Sequence, residues 1–285
     1  VVGGLIVLAL VLTAIAAPFI SPRSPFEKKG WGQIGEDWIP PYRPSSVYPL
    51  GSDSQGRDIL SLLIHGSQQT LLLAFVVMLA RLAVGCLVGG LAAWKEGRPA
   101  DRILMALSTA FSSFPALILA ALLVLAFGVQ GSLVSFTLAL CFVGWGEIAQ
   151  FVRSQVLVIR RKEYIESARA TGLRETAIAL RHVLPNLLPQ LAALMSLEMA
   201  AVLLILGELG FLNIFLGGGF KAEIGEVGAM VPVMYYFSDV PEWGALLANI
   251  RNWWQSSPWL AWYPGVAFFL AILTFNLWGE GLRRF

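Results

Sequence analysis

Six stretches of this chain run apolar, almost without charge, for the length a helix needs to cross a bilayer. A helix rises 1.5 Å per residue, so a hydrocarbon core of about 30 Å takes about 20 apolar residues. The stretches are 1–20, about 70–94, 103–127, 132–152, 188–210 and 260–278. None alternates with the period of two that marks barrel strands, and a lipid-facing backbone must satisfy its own hydrogen bonds. All six are therefore predicted to be helices, and the fold class expected is an all-α polytopic membrane protein. The chain opens on Val1 rather than Met, which reads as a trimmed start. A cleaved signal peptide would have a basic leader and a shorter apolar core, so the first stretch is expected to be a retained span.

Three polar segments separate these runs. Residues 21–69 form a Pro-rich loop after the first helix, and the other five helices make a core over 70–285. Within that core, 153–187 is a basic loop, and 211–259 is a second long loop that opens with Gly217-Gly218-Gly219 and closes with an aromatic run. No repeat of 20–50 residues and no low-complexity tract is found.

Composition agrees with the pattern. Hydrophobic residues make up 57% and charged residues 13%, with a mean hydropathy of +0.71. A soluble domain carries roughly 25% charged residues. Disorder, a basic nucleic-acid-binding domain and an ordinary cytosolic enzyme are thereby excluded. Cys86 and Cys141 both lie in apolar runs, so neither a disulfide framework nor a zinc site is expected.

Charge placement orients the chain. Twelve Lys and Arg fall on one side of the six runs (Lys95, Arg98, Arg102, Arg153, Arg160, Arg161, Lys162, Arg169, Arg174, Arg181, Arg283 and Arg284). Seven fall on the other (Arg23, Lys28, Lys29, Arg43, Arg57, Lys221 and Arg251), over a longer length of chain. The positive-inside rule then puts both termini and the 153–187 loop in the cytoplasm. Trp94 and Trp278 mark the inner interface, while Trp253, Trp254, Trp259 and Trp262 crowd the outer one.

The cytoplasmic loop carries the most information. Residues 163–171 are predicted to form a short helix, stopped by Gly172 in the left-handed conformation. Residues 174–182 form a second helix, and Pro185 sets the angle at which the chain re-enters the membrane. Ser167, Ala168, Ala170 and Thr171 are small enough to let the first helix lie close against another surface. A basic loop that simply binds anionic headgroups would need neither a small-residue helix nor a glycine stop.

Glu166-Ser-Ala-x3-Gly172-x9-His182-Val-Leu184-Pro185 resembles the "EAA" motif of the permeases of bacterial ATP-binding-cassette importers. His-Val-Leu-Pro-Asn at 182–186 is similar to their dipeptide/oligopeptide/nickel branch. Pro-Leu-Gly-Ser-Asp-Ser-Gln-Gly-Arg-Asp at 49–58 resembles the segment after the first span in that branch's C-type subunit; Gly51, Asp53, Gly56, Arg57 and Asp58 carry it. Phe114-Pro115, Trp243-Gly244 and Phe275-Asn276-Leu277 are further matches. Glu147, Gln150, Glu208 and the stretch 210–217 depart from the family pattern, and the second external loop is longer.

The resemblance implies a multi-pass subunit of the bacterial or archaeal cytoplasmic membrane that imports peptides or similar small solutes. Glu166, Ser167, Ala168, Arg169, Ala170, Thr171 and Gly172 would form a coupling helix docked in a cytoplasmic ATPase, with Leu184 and Pro185 as its hinge. The implied partners are a homologous B-type permease, two ATPase subunits, an external substrate-binding protein and membrane lipid, without nucleic acid. No Gly-Lys-Ser/Thr phosphate loop occurs, so ATP and Mg are expected on the partner subunits and no cofactor on this chain.

Arg81 lies near the middle of the second run. A central Arg costs about 2.5–3.5 kcal/mol of insertion free energy, which the surrounding Leu, Val and Phe offset. It is expected to pack inside the bundle against a carboxylate or backbone carbonyls, with Glu198 as first partner and Glu147 as second; the alternative is a cavity-lining charge. Gly85 and Gly89 read as a close helix contact. Asp53 and Asp58 read as a solvated turn and a helix cap rather than a calcium site. His65 and His182 fall on opposite sides of the membrane and cannot share a metal. The competing readings are a self-contained secondary transporter or channel, which usually has repeated halves, and an intramembrane enzyme, which needs a catalytic constellation. No site for catalysis or metal is expected.

Overall fold

The computed structural model describes residues 2–28, 34, 37–128, 133–216, 220–224, 233–248 and 250–284. The opening glycines of the second long loop, 217–219, lie outside the described residues. Helix α1 spans Val2–Ile20 and α2 spans Ile59–Trp94. The Asp58 carboxylate caps α2 by accepting from the Ser61 N–H at 3.0 Å. The helix therefore starts well before the apolar run does, and residues 59–69 of the expected external loop are helical. At its far end Gly97, with φ +77°, turns the chain, and Pro99 opens α3, Pro99–Ser112, where its missing N–H costs nothing.

The third and fourth runs, expected to be single helices, are each broken. Helix α3 is followed by α4, Ala116–Phe127, at an angle of 91°. Pro115 stands at the corner, lacking the N–H that would continue α3. Helices α5, Leu133–Cys141, and α6, Trp145–Arg160, meet at 42°. Gly144 makes that corner with φ +85°.

After α7, Glu163–Ala170, the chain enters α8, Glu175–Ile178. A π-helical turn over Ala179–Val183 leads directly into α9, Leu184–Phe211. Helical structure thus runs unbroken from Glu175 to Phe211. Pro185 sits in the first turn of α9 and makes no corner, contrary to its expected role. The wider π turn precedes it, with the Leu184 N–H reaching back to the Ala179 carbonyl.

The second long loop is not wholly irregular. Strands β1, Phe220–Ile224, and β2, Val233–Phe237, pair antiparallel, with Phe220 opposite Phe237. Helices α10, Trp243–Leu247, and α11, Ile250–Trp253, lead to α12, Trp259–Arg283. Helix α10 is folded back into the bundle. Trp243 donates from its backbone N–H to Thr70 Oγ1 at 3.0 Å and from Nε1 to the Leu63 carbonyl at 2.8 Å. Gly210 and Gly244 let α9 and α10 touch backbone to backbone.

Four helical stretches are long and apolar enough to cross a membrane, or up to six if each bent pair is one span. Their outward faces are apolar: Leu12, Leu72, Leu87 and Phe269 are all more than half exposed. Such surfaces belong in lipid or against another membrane subunit. One buried cluster joins α1, α2, α4, α5, α9 and α12. A second collects Ala93, Ile148, Val152, Val156, Ile159, Ile165, Ala168, Ile178, Val183 and Leu187 at the end of the bundle that bears α7.

Candidate functional site: the short helix α7

Helix α7 is held by one face and offers the other. Ile165 and Ala168, three residues apart, are buried in the second cluster beside Ile159 and Ile178. Glu163, Tyr164, Glu166, Ser167 and Ala170 are exposed. Ala168, expected on the docking face, faces the protein's own bundle instead. The Ser167 hydroxyl donates to the Glu163 carbonyl at 3.1 Å, which leaves a small, smooth outer surface.

The stop is a Schellman motif. Gly172 N–H donates to the Arg169 carbonyl at 2.9 Å and Leu173 N–H to the Ala168 carbonyl at 3.2 Å. Gly172 has φ +81°, and a Cβ there would meet nothing within 4 Å, so backbone conformation alone demands glycine. Arg169 reaches past this turn to α8, with Nε 2.7 Å from Glu175 Oε1. That hydrogen bond holds the Glu175 carboxyl below its usual range and raises Arg169. The sequence offered little sign of it, since a six-residue separation is no helical spacing. The same holds for Tyr164, whose ring lies 6.5 Å from that of His182. Leu184 and Pro185 are exposed in the first turn of α9.

At the same end of the bundle, Arg153 makes a two-pronged pair with Asp101, both contacts 2.7 Å, tying α6 to α3. The Arg153 guanidinium holds the Asp101 carboxyl below the usual carboxylate range. Arg161 pairs with Glu96 at 2.9 Å.

Arg81 is 1% exposed. Its Nε donates to the Leu140 carbonyl at 3.0 Å, at the end of α5, and its guanidinium lies against Gly144. Nη1 stands 3.9 Å from Glu198 Oε2 on α9. Glu147 is exposed, and no ion pair joins it to Arg81 among the described residues. Gly85 and Gly89 lie where α2 meets α6, and a Cβ on either would overlap Ile148 or Ala149.

At the opposite end, the 51–58 segment is a buried knot rather than a solvated turn. Asp53 Oδ1 accepts the Gln55 and Arg57 N–H groups, while Oδ2 takes Arg57 Nε at 2.7 Å. Arg57 Nη1 donates to the Ser238 carbonyl at 3.2 Å, linking the loop before α2 to the one before α10. Gly51 and Gly56 supply the positive φ angles, +82° and +77°. No group of His, Cys, Asp and Glu able to hold a metal occurs among the described residues.

The family model for the binding-protein-dependent transport system inner membrane component matches residues 85–285. The chain belongs to that family and is a multi-pass protein of the bacterial cytoplasmic membrane. It is 31% identical over 283 residues to a glutathione transport system permease protein of Pectobacterium atrosepticum, covering 99% of this chain and 84% of that relative. A dipeptide transport system permease protein of Alkalihalophilus pseudofirmus is 29% identical, covering 99% and 83%. A probable D,D-dipeptide transport system permease protein of Escherichia coli is 30% identical, covering 99% and 85%.

Proposed function

We propose that this chain is the C-type permease of an importer for peptides or similarly handled small solutes such as glutathione, with α7 as its coupling helix. It would pair with a homologous B-type permease, rest on two ATPase subunits that hold ATP and Mg, and receive cargo from an external binding protein. The relatives named above are permeases for di- or tripeptide-like solutes, which supports the cargo class. Both termini and α7 would face the cytoplasm. Two parts of the richer basic set, Lys95 to Arg102 and Arg153 to Lys162, meet at one end of the bundle, which supports that orientation.

The observation that carries the proposal is the division of α7 into a buried face, Ile165 and Ala168, and an exposed face ended by the Gly172 turn. A push on the exposed face reaches α6 and α9 through packed side chains, because close-packed interiors transmit displacement. Arg81, with the Leu140 carbonyl, Glu198 as first carboxylate and Glu147 as a more distant second, would keep α2, α5 and α9 moving together. The 51–58 knot would hold the outer loops in register for the binding protein.

The test is disulfide trapping. With Ser167→Cys, and cysteines placed along the groove of the co-expressed ATPase, a cross-link should form and should depend on nucleotide. Transport by this chain alone, without nucleotide, would overturn the proposal. The cargo follows from which di- and tripeptides, or glutathione, raise the melting temperature of the cognate binding protein.

A further inference from the structure

A groove of about 860 Å³ opens at the α7 end of the bundle, between α2, α6, α8 and the start of α9. That lies in the range of ligand-sized pockets, ~300–1,000 Å³. Its wall is apolar: Leu91 and Leu180 line it and are 53% and 66% exposed. Gly90 leaves part of the wall bare, since a Cβ there would meet nothing within 4 Å. Its rim is cationic, with Lys95, Arg98 and Arg160. The one carboxylate in the lining, Glu175, is shared between Arg169, at 2.7 Å, and the charge of Arg160, and neighbouring Glu96 pairs with Arg161 at 2.9 Å, so the lining holds more cations than carboxylates. Arg160 is fixed in place: Nη1 donates to the Ala93 carbonyl and the guanidinium stacks on Trp94, 4.8 Å from the ring centre. Its Nε is buried without a hydrogen-bond partner, and a buried cationic donor left unpaired is costly.

An occupant must therefore join an anion to a hydrocarbon chain. We propose that this groove binds an anionic phospholipid of the adjacent leaflet, its phosphate on Lys95, Arg98 and Arg160 and one acyl chain along Leu91 and Leu180. A soluble anion would leave the apolar wall wet, and a zwitterionic lipid would leave the rim's charge unanswered. Because the groove abuts α8, the lipid would brace the root of α7. Naming the leaflet cytoplasmic rests on the orientation proposed above; the site itself does not.

The experiment uses the assembled complex in nanodiscs of equal parts phosphatidylglycerol and phosphatidylcholine, with a photoreactive acyl chain on one lipid or the other. The phosphatidylglycerol probe should label residues 86–98 or 176–191 in preference to the phosphatidylcholine probe. Lys95→Gln with Arg98→Gln should reduce that labelling on the order of tenfold, while Arg161→Gln should leave it unchanged. Gly90→Leu, which fills the wall and keeps the rim, should also reduce it, and decides alone if the double variant fails to assemble. Equal labelling by both lipids, indifference to these variants, loss of label to added inorganic phosphate, or cross-linking of a partner subunit there would overturn the proposal. Both leaflets of the nanodisc are identical, so a chain inserted the other way round would still label; failure here and failure of the orientation are distinct results.

Discussion

Arg169 and Glu175 close the Gly172 turn as a clasp, Nε to Oε1 at 2.7 Å, although each side chain is more than a third exposed. An exposed pair is worth ~0.2–1 kcal/mol, too little to decide whether the protein folds. Its consequence is directional: it fixes α7 against α8 and the root of α9. Arg169→Ala is expected to leave the melting temperature nearly unchanged while the solute moved per ATP falls several-fold. Hydrogen exchange over 170–174 should quicken. Exchanging the charges, Arg169→Glu with Glu175→Arg, should restore part of the coupling. Glu175 is held below its usual range, so the clasp is present above a carboxylate's ordinary pKa and is lost as pH falls through the depressed value.

Gly172→Val tests the turn itself. Space is not the obstacle, because a Cβ meets nothing within 4 Å; the obstacle is φ +81°. A β-branched residue held there costs on the order of 1–3 kcal/mol, enough to shift the local backbone but not to unfold the bundle. Membrane insertion should be normal and coupled ATP hydrolysis should be abolished. Gly172→Asn, which tolerates the left-handed region, should retain much of it. Normal transport by the valine variant would remove α7 from the mechanism.

Arg81 gives the third prediction. It touches the end of α5, the Gly144 corner and Glu198 of α9 at once. Arg81→Ala leaves the Leu140 carbonyl without its donor and the part-buried Glu198 carboxylate without its cation, and should cost ~3–5 kcal/mol. Arg81→Ala with Glu198→Ala should cost less than the two singles added, by about 0.5–3 kcal/mol, in thermal melts of the purified complex. Exact additivity would show that the two do not interact. A charge swap should rescue only part of the loss, since the Leu140 carbonyl still requires a donor.

What was legible in the sequence divides along physical lines. The apolar runs located the helical segments, since hydropathy reads composition. The short α7 and the left-handed Gly172 were legible because a glycine after a helical run is a local signal. The Gly85/Gly89 contact was legible for the same reason, though not its partner, α6. The breaks at Pro115 and Gly144 were not, because apolar composition continues straight across both corners. Pro185 misled: helical structure runs on through it from a π-helical turn, with no break at the proline. The inward face of Ala168 and the Arg169–Glu175 clasp depend on how α7 folds back on its own bundle, which no local pattern records. Likewise the 51–58 segment looked solvated only because its partner, Ser238, is remote in sequence.

The loops at the end of the bundle opposite α7 supply the fourth prediction. Glu242, just before α10 and 2% exposed, accepts the Leu216 N–H at 2.8 Å. The Leu216 carbonyl takes the Ser238 hydroxyl at 3.0 Å, and the Ser238 carbonyl takes Arg57. Burial pushes the Glu242 carboxyl up to about 7, although the Leu216 and Ala245 N–H groups draw it partly back. Above pH 7 the group is ionised in both folded and unfolded chains, and burying the anion weakens the loop. Between 7 and the ordinary value of 4.5 the folded form holds a proton that the unfolded form releases, so stability rises as pH falls through that window. Hydrogen exchange over 238–248, corrected for its intrinsic pH dependence, should therefore slow on acidification. Glu242→Gln keeps an oxygen for Leu216 and removes the charge. It should make exchange slow and independent of pH; faster exchange in that variant at pH above 7 would mean that the anion itself holds the loop.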